Sequence, residues 1–84
     1  MVSRETIREK LIEKLIETTG MDKGEITEDA PFHEIGIDSL ILVELFVFIE
    51  KEFEVDLMES AITHENIQSV ATLAEGIEET VKNR

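Results

Sequence analysis

An all-α fold is predicted by three features of this 84-residue sequence. Apolar residues recur at helical spacing in separate stretches, each main stretch follows a Ser or Asp able to cap a helix, and no stretch combines strand alternation with hairpin turn chemistry. The length fits one domain, 1–84, near the lower limit for a core without covalent staples. The expected architecture is a small four-helix bundle with a long first loop and a short third helix.

Helix one is expected over Arg4 to Thr19, where Ile7, Leu11, Ile12, Leu15 and Ile16 share a face. Ser3 is its N-cap and Gly20 its stop. The pairs Glu5/Arg8, Lys10/Glu13 and Lys14/Glu17 sit three residues apart on its polar side, each a minor local stabiliser. Residues Met21 to Ile37 contain Gly24, Pro31 and Gly36 and read as a loop, anchored on the core by Ile26, Phe32 and Ile35.

Helix two is expected over Ser39 to Phe53, with Leu42, Leu45, Phe46, Ile49 and Phe53 inward and Ile41, Val47 and Phe48 to the side. A short third helix is expected over Met58 to Thr63. Ser69 caps the last helix, Val70 to Val81, whose inward residues are Val70, Leu73, Ala74, Ile77 and Val81. Apolar positions of the later helices, Leu42, Phe46, Ile62 and Ala71, are expected to line a cleft.

Charge is distributed unevenly. Up to Lys23, five acids balance five bases, whereas residues 24–81 hold fifteen acids and the single base Lys51; the whole chain carries −12. Such a field argues against nucleic acid and favours encounter with basic protein surfaces. No cysteine is present, so disulfides and thiolate metal sites are excluded. His33, His64 and the loop acids lack ligand spacing, and no metal is expected. Neither a secretory pattern at Met1–Glu5 nor an apolar run of membrane-spanning length is visible, so a cytoplasmic protein with no membrane insertion is expected.

The segment Gly36-Ile37-Asp38-Ser39-Leu40 carries the functional signal. Gly36 lets the chain turn sharply, Asp38 caps helix two, and Ser39 lies at the helix mouth, where unpaired N–H groups and the helix dipole favour a phosphate ester. Alone, Asp-Ser-Leu is ordinary capping. Its context is more specific: a loop from Ile26 to Ile35 before it, then Val43-Glu44-Leu45, then Glu50-Lys51-Glu52-Phe53, then the start of the last helix at Val70. Together these segments resemble the acyl carrier protein family over essentially the whole chain.

That resemblance implies a 4′-phosphopantetheine group, taken from coenzyme A and attached to Ser39 by a phosphopantetheinyl transferase. It implies that Asp38 assists the modification step and that Leu40 offers the transferase an apolar contact. It places partner recognition on Val43, Glu44, Glu50 and Glu52, with Glu59 in the third helix. The partners implied are acyl-transferring or condensing enzymes with basic surfaces, and the protein is expected to be a monomer, freestanding and without enzymatic activity of its own.

Two positions depart from common fatty-acid carriers, which have an acid at the place of Ile41 and a small residue at that of Phe48. Ile41 and Phe48 either form an exposed apolar patch flanking the arm, with Ile41 a partner contact, or tuck into a rearranged core. The functional expectation is a carrier of acyl thioesters in a fatty-acid, polyketide or other specialised lipid pathway. An aminoacyl or peptidyl carrier is the alternative within carriers. An unmodified acidic helical interaction domain is the alternative outside them.

Overall fold

A computed structural model describes residues 3–57 and 62–83. Within them the chain is all-helical: α1 (Arg4–Thr19), α2 (Ser39–Glu52) and α3 (Val70–Lys82), with 3-10 turns at Lys23–Glu25, Phe32–Ile35 and His64–Asn66. α1 packs against both α2 and α3, which touch each other much less. The core therefore sits on one face of α1.

α1 begins where Ser3 Oγ accepts a hydrogen bond from the Thr6 amide at 3.2 Å. It stops at Gly20, which takes the left-handed conformation (φ 77°) and donates its N–H to the Ile16 carbonyl. Ile7, Leu11, Ile12 and Leu15 are buried as the spacing predicts. Its charges behave differently from the expectation. Of the three pairs along the helix only Lys14–Glu17 forms, at 3.5 Å. Arg8 reaches Glu28 (3.4 Å), Lys10 reaches Glu52 (3.2 Å) and Arg4 reaches Glu78 (2.8 Å). The acid-rich remainder of the chain folds around α1 and brings its carboxylates within range, and long Arg and Lys stems can turn to them.

The long loop is pinned rather than free. The expected anchors Ile26 and Phe32 are buried and Ile35 packs half-buried against the core, and Ile37 is buried as a further anchor. Two backbone bonds tie the loop to the start of α3: Phe32 N–H donates to the Gln68 carbonyl (2.7 Å) and Ala71 N–H to the Glu28 carbonyl (2.9 Å). Since loop backbone must find partners when buried, these bonds fix where the loop delivers the chain to α2.

α2 buries Leu45 and Ile49, and Phe53 follows as its C-cap. Leu42 and Phe46, expected inward, are half-buried against the core, as is Ile62; Ala71 is half-buried in the first turn of α3. The expected third helix does not extend through Ile62 and Thr63: Thr63 is extended (φ −106°, ψ 173°) and N-caps the 3-10 turn that follows. Two adjacent β-branched residues favour that extended backbone. Met58–Ala61, the rest of that expectation, lie outside the described residues, so among the described residues the bundle has three α-helices.

α3 starts at a reciprocal cap in which Ser69 Oγ accepts from the Thr72 amide and Thr72 Oγ1 accepts from the Ser69 amide. Asn66 bridges onto the same turn, donating from Nδ2 to the Thr72 carbonyl at 3.1 Å. Gly76 explains how close this segment comes. A Cβ there would lie 3.0 Å from Asn66 Cγ and 3.1 Å from Ile62 Cγ1. A glycine inside a helix costs about 1 kcal/mol relative to alanine, and here it leaves room for the 62–66 segment.

Candidate functional site: the turn into α2

The turn is assembled by three consecutive local devices. Gly36 adopts the left-handed conformation (φ 82°) that ends the preceding 3-10 turn. Ile37 then inserts into the core with its amide donating to the Phe32 carbonyl at 2.9 Å. Asp38, in extended conformation, caps α2: Oδ1 accepts from the Ile41 amide at 3.0 Å, and its carbonyl accepts from the Leu42 amide at 3.0 Å. With Ile37 held inside and Asp38 facing back along the helix, Ser39 has no direction left but outward. It is exposed, and Leu40 beside it is 72% exposed.

The Ser39 hydroxyl has no hydrogen-bond partner among the described residues. The amides of Ser39 and Leu40, in the first turn, have no intrahelical acceptor, because that register begins with the Leu42 amide. A primary alcohol bordered by two open N–H donors and the positive helix end fits a phosphodiester, whose oxygens those donors can meet. The other described serines are engaged. Ser3 caps α1, and Ser69 is 4% exposed with its hydroxyl held in the α3 cap.

Of the expected partner-binding residues, Val43, Glu44 and Glu50 are exposed on α2. Glu52 is exposed but already paired with Lys10. Glu59 lies outside the described residues. Ile41 and Phe48 both pack against the core and are half-buried, so the tucked arrangement holds and the exposed patch is formed by other residues. Phe48 sets its ring edge-to-face on Phe53 (6.2 Å between centroids, 84°), with the Lys14 ammonium 5.8 Å from its centroid. The exposed apolar residues are Leu40, Val43 (55%) and Val47 (45%), spaced i, i+3 and i+7 along one line of α2. Sequence reasoning put Val47 to the side of the inward stripe without giving it a role. Its spacing from Leu40 and Val43 was the signal available.

Among the described residues no group of three or more His, Asp or Glu side chains could hold a metal ion, and no helix is long and apolar enough to cross a membrane.

Comparison with known proteins agrees with this geometry. A family model described as the phosphopantetheine attachment site matches residues 9–74. An acyl carrier protein of Rickettsia bellii is 37% identical over 76 residues, which is 89% of this chain and 86% of that protein. Aminoacyl carrier protein 1 of Bradyrhizobium diazoefficiens is 34% identical over 64 residues, 76% of this chain and 70% of that one. The highly reducing polyketide synthase Preu5 of Preussia isomera is 38% identical over 69 residues, 81% of this chain but 3% of the synthase. The group such a domain carries is 4′-phosphopantetheine, covalently bound. Because the matched span includes the whole turn from Gly36 to Leu40, and two small carriers align over most of their own length, the chain belongs to the acyl carrier protein family.

Proposed function

We propose that this protein holds acyl intermediates as thioesters on a 4′-phosphopantetheine group attached to Ser39, and presents them to separate enzymes of a fatty-acid, polyketide or other specialised lipid pathway. The exposure of the Ser39 hydroxyl at the mouth of α2, with no internal partner among the described residues, is the observation that carries this reading. No base contacts that hydroxyl among the described residues, which supports reading Ser39 as an attachment point activated by an external transferase rather than as a nucleophile working on substrate.

The bound group supplies the thiol, which this cysteine-free chain lacks. The chain's own contribution is to anchor the group rigidly at a helix start, leave the surroundings open, and surround them with acids that attract basic partner surfaces. Tethering then gives a high effective concentration of the acyl group at each partner in turn. The partners are a phosphopantetheinyl transferase and acyl-transferring or condensing enzymes; we further place the protein in the cytoplasm, as a monomer without catalysis of its own. The likeness to an aminoacyl carrier supports a second reading, in which the cargo is an amino acid.

Incubation with a phosphopantetheinyl transferase and coenzyme A should add one phosphopantetheine mass, mapped to the peptide containing Ser39. Ser39→Ala should remain helical and accept nothing. Addition to that variant, or to Ser3, Ser60 or Ser69 in the wild type, would overturn the assignment. Intact mass of the protein from its native host then separates acyl from aminoacyl cargo.

A further inference from the structure

The apolar line on α2 ends on a cation. Lys51 lies one helical turn beyond Val47, is exposed, and is the single base among the sixteen charged residues between 24 and 81. Beside it a groove of about 270 Å³ runs between α1 and α2, lined by Lys14, Glu44, Val47, Phe48, Lys51 and Glu52. Val47 belongs to both surfaces, so the groove continues the line from Leu40 through Val43.

Part of the groove's charge is already neutralised. Glu52 is held by Lys10, and Lys14 sits between Glu17 and the Phe48 ring. Among the described residues Lys51 and Glu44 have no ion-pair partner. A partner surface carrying only bases would satisfy Glu44 and Glu50 but set a like charge against Lys51. A partner with a carboxylate at that place would meet Lys51 and keep its bases for the acids. Specificity is a difference between two such affinities, and a single repulsive contact is enough to create one.

We infer that Lys51 is a specificity-determining residue: the groove takes a partner enzyme's surface on which an apolar side chain, seated on Val47 and Phe48, is flanked by a carboxylate that meets Lys51. This rests on the carrier reading of α2 as the face offered to partners. Val47 and the half-buried Phe48 provide the apolar floor, and the Lys51 ammonium supplies the only positive charge of α2.

The test uses two short helical peptides that are identical around one central leucine except that the residues flanking it are glutamates in one and lysines in the other. Each is titrated into the isotope-labelled full chain while the amide signals of Val43, Val47, Phe48 and Lys51 are followed. The glutamate peptide should bind about two- to five-fold more tightly, the range of one exposed ion pair, with shifts centred on Val47 to Lys51. Lys51→Gln should remove the preference and Lys51→Glu should reverse it, with unchanged helicity in both. A preference for the lysine peptide, a preference that survives Lys51→Glu, or no binding of either peptide overturns the inference. Loading of Ser39 by the transferase is scored separately on the same samples. A chain that loads normally and shows no charge preference retains the carrier reading and loses this one.

Discussion

α1 and α2 are of similar length, with α2 much the more apolar, yet they are used in opposite ways. α1 buries Ile7, Leu11, Ile12 and Leu15 with Ile16 half-buried beside them, and three of its four bases reach acids in other parts of the fold. α2 fully buries only Leu45 and Ile49, and leaves Leu40, Val43 and Val47 in solvent beside Glu44 and Lys51, which have no ion-pair partner among the described residues. The side chains of α1 serve stability. Those of α2 are divided: Ile41, Leu42, Leu45, Phe46, Phe48 and Ile49 pack in or against the core, while Leu40, Val43 and Val47 leave apolar area exposed in the turns that follow Ser39, the kind of surface that marks interaction sites.

The sharpest way to break this comparison is to truncate one residue on each helix. Leu11 is fully buried, so Leu11→Ala should cost about 2–5 kcal/mol and lower the melting temperature by at least ~10 °C. Val47→Ala should stay within about 0.5 kcal/mol while slowing transfer to partner enzymes. Equal thermal shifts in the two variants would mean that the exposed line of α2 supports the fold no less than the buried face of α1.

The cleft expected from the sequence permits a second test, since Leu42, Phe46 and Ile62 are half-buried against the core and α2 and α3 touch little. If a long acyl chain attached to the arm enters there, it binds only the folded state and must raise the melting temperature. Thermal melts of holo and long-chain acyl forms should therefore differ by a few degrees, and coincident melts would leave the acyl chain in solvent.

Ile41 sharpens the contrast on the α2 side. With an isoleucine where common fatty-acid carriers have an acid, the wild-type holo protein should be a poor substrate for a generic ketosynthase. Ile41→Asp should raise kcat/KM about two- to five-fold at low salt, less at moderate salt. Because Ile41 packs against the core, the same change should lower the melting temperature, an effect separable from the kinetic one. Unchanged kcat/KM at both salts would remove Ile41 from the specificity elements.

The smallest expected effect lies on α1. The Arg4 guanidinium hydrogen-bonded to Glu78 holds that carboxyl below its ordinary value of 4.5, aided by the Arg4 backbone and Lys82 and opposed by partial burial. A depressed folded-state value means that the contribution is complete above the unfolded value and is lost as pH falls through the folded one. Arg4→Gln should thus lower the melting temperature slightly near neutral pH, and the difference from wild type should shrink in acid. A difference independent of pH would assign the effect to packing of the arginine stem instead.

Much of the site was legible in the sequence because it is built from local devices. A left-handed glycine at 36, a capping aspartate at 38 and an apolar period after Ser39 require only neighbours a few residues away, and the structure places them as read. The helix limits followed for the same reason, with Ser3, Gly20 and Ser69 where caps and a stop were expected. What failed depended on partners far along the chain. Arg8 and Lys10 chose Glu28 and Glu52 over their helical neighbours, and Ile37, not among the expected anchors, is buried more deeply than Ile35.

By itself, then, the sequence determined three helices, their caps and an outward serine, since hydrogen-bond register and apolar period act within one or two turns. Only the tertiary structure decided how deep each residue of α2 sits. Ile41 and Phe48 tuck in while Val47 stays out, because burial depends on which helices lie alongside: α1 covers one flank of α2, and nothing among the described residues covers the line from Leu40 to Val47.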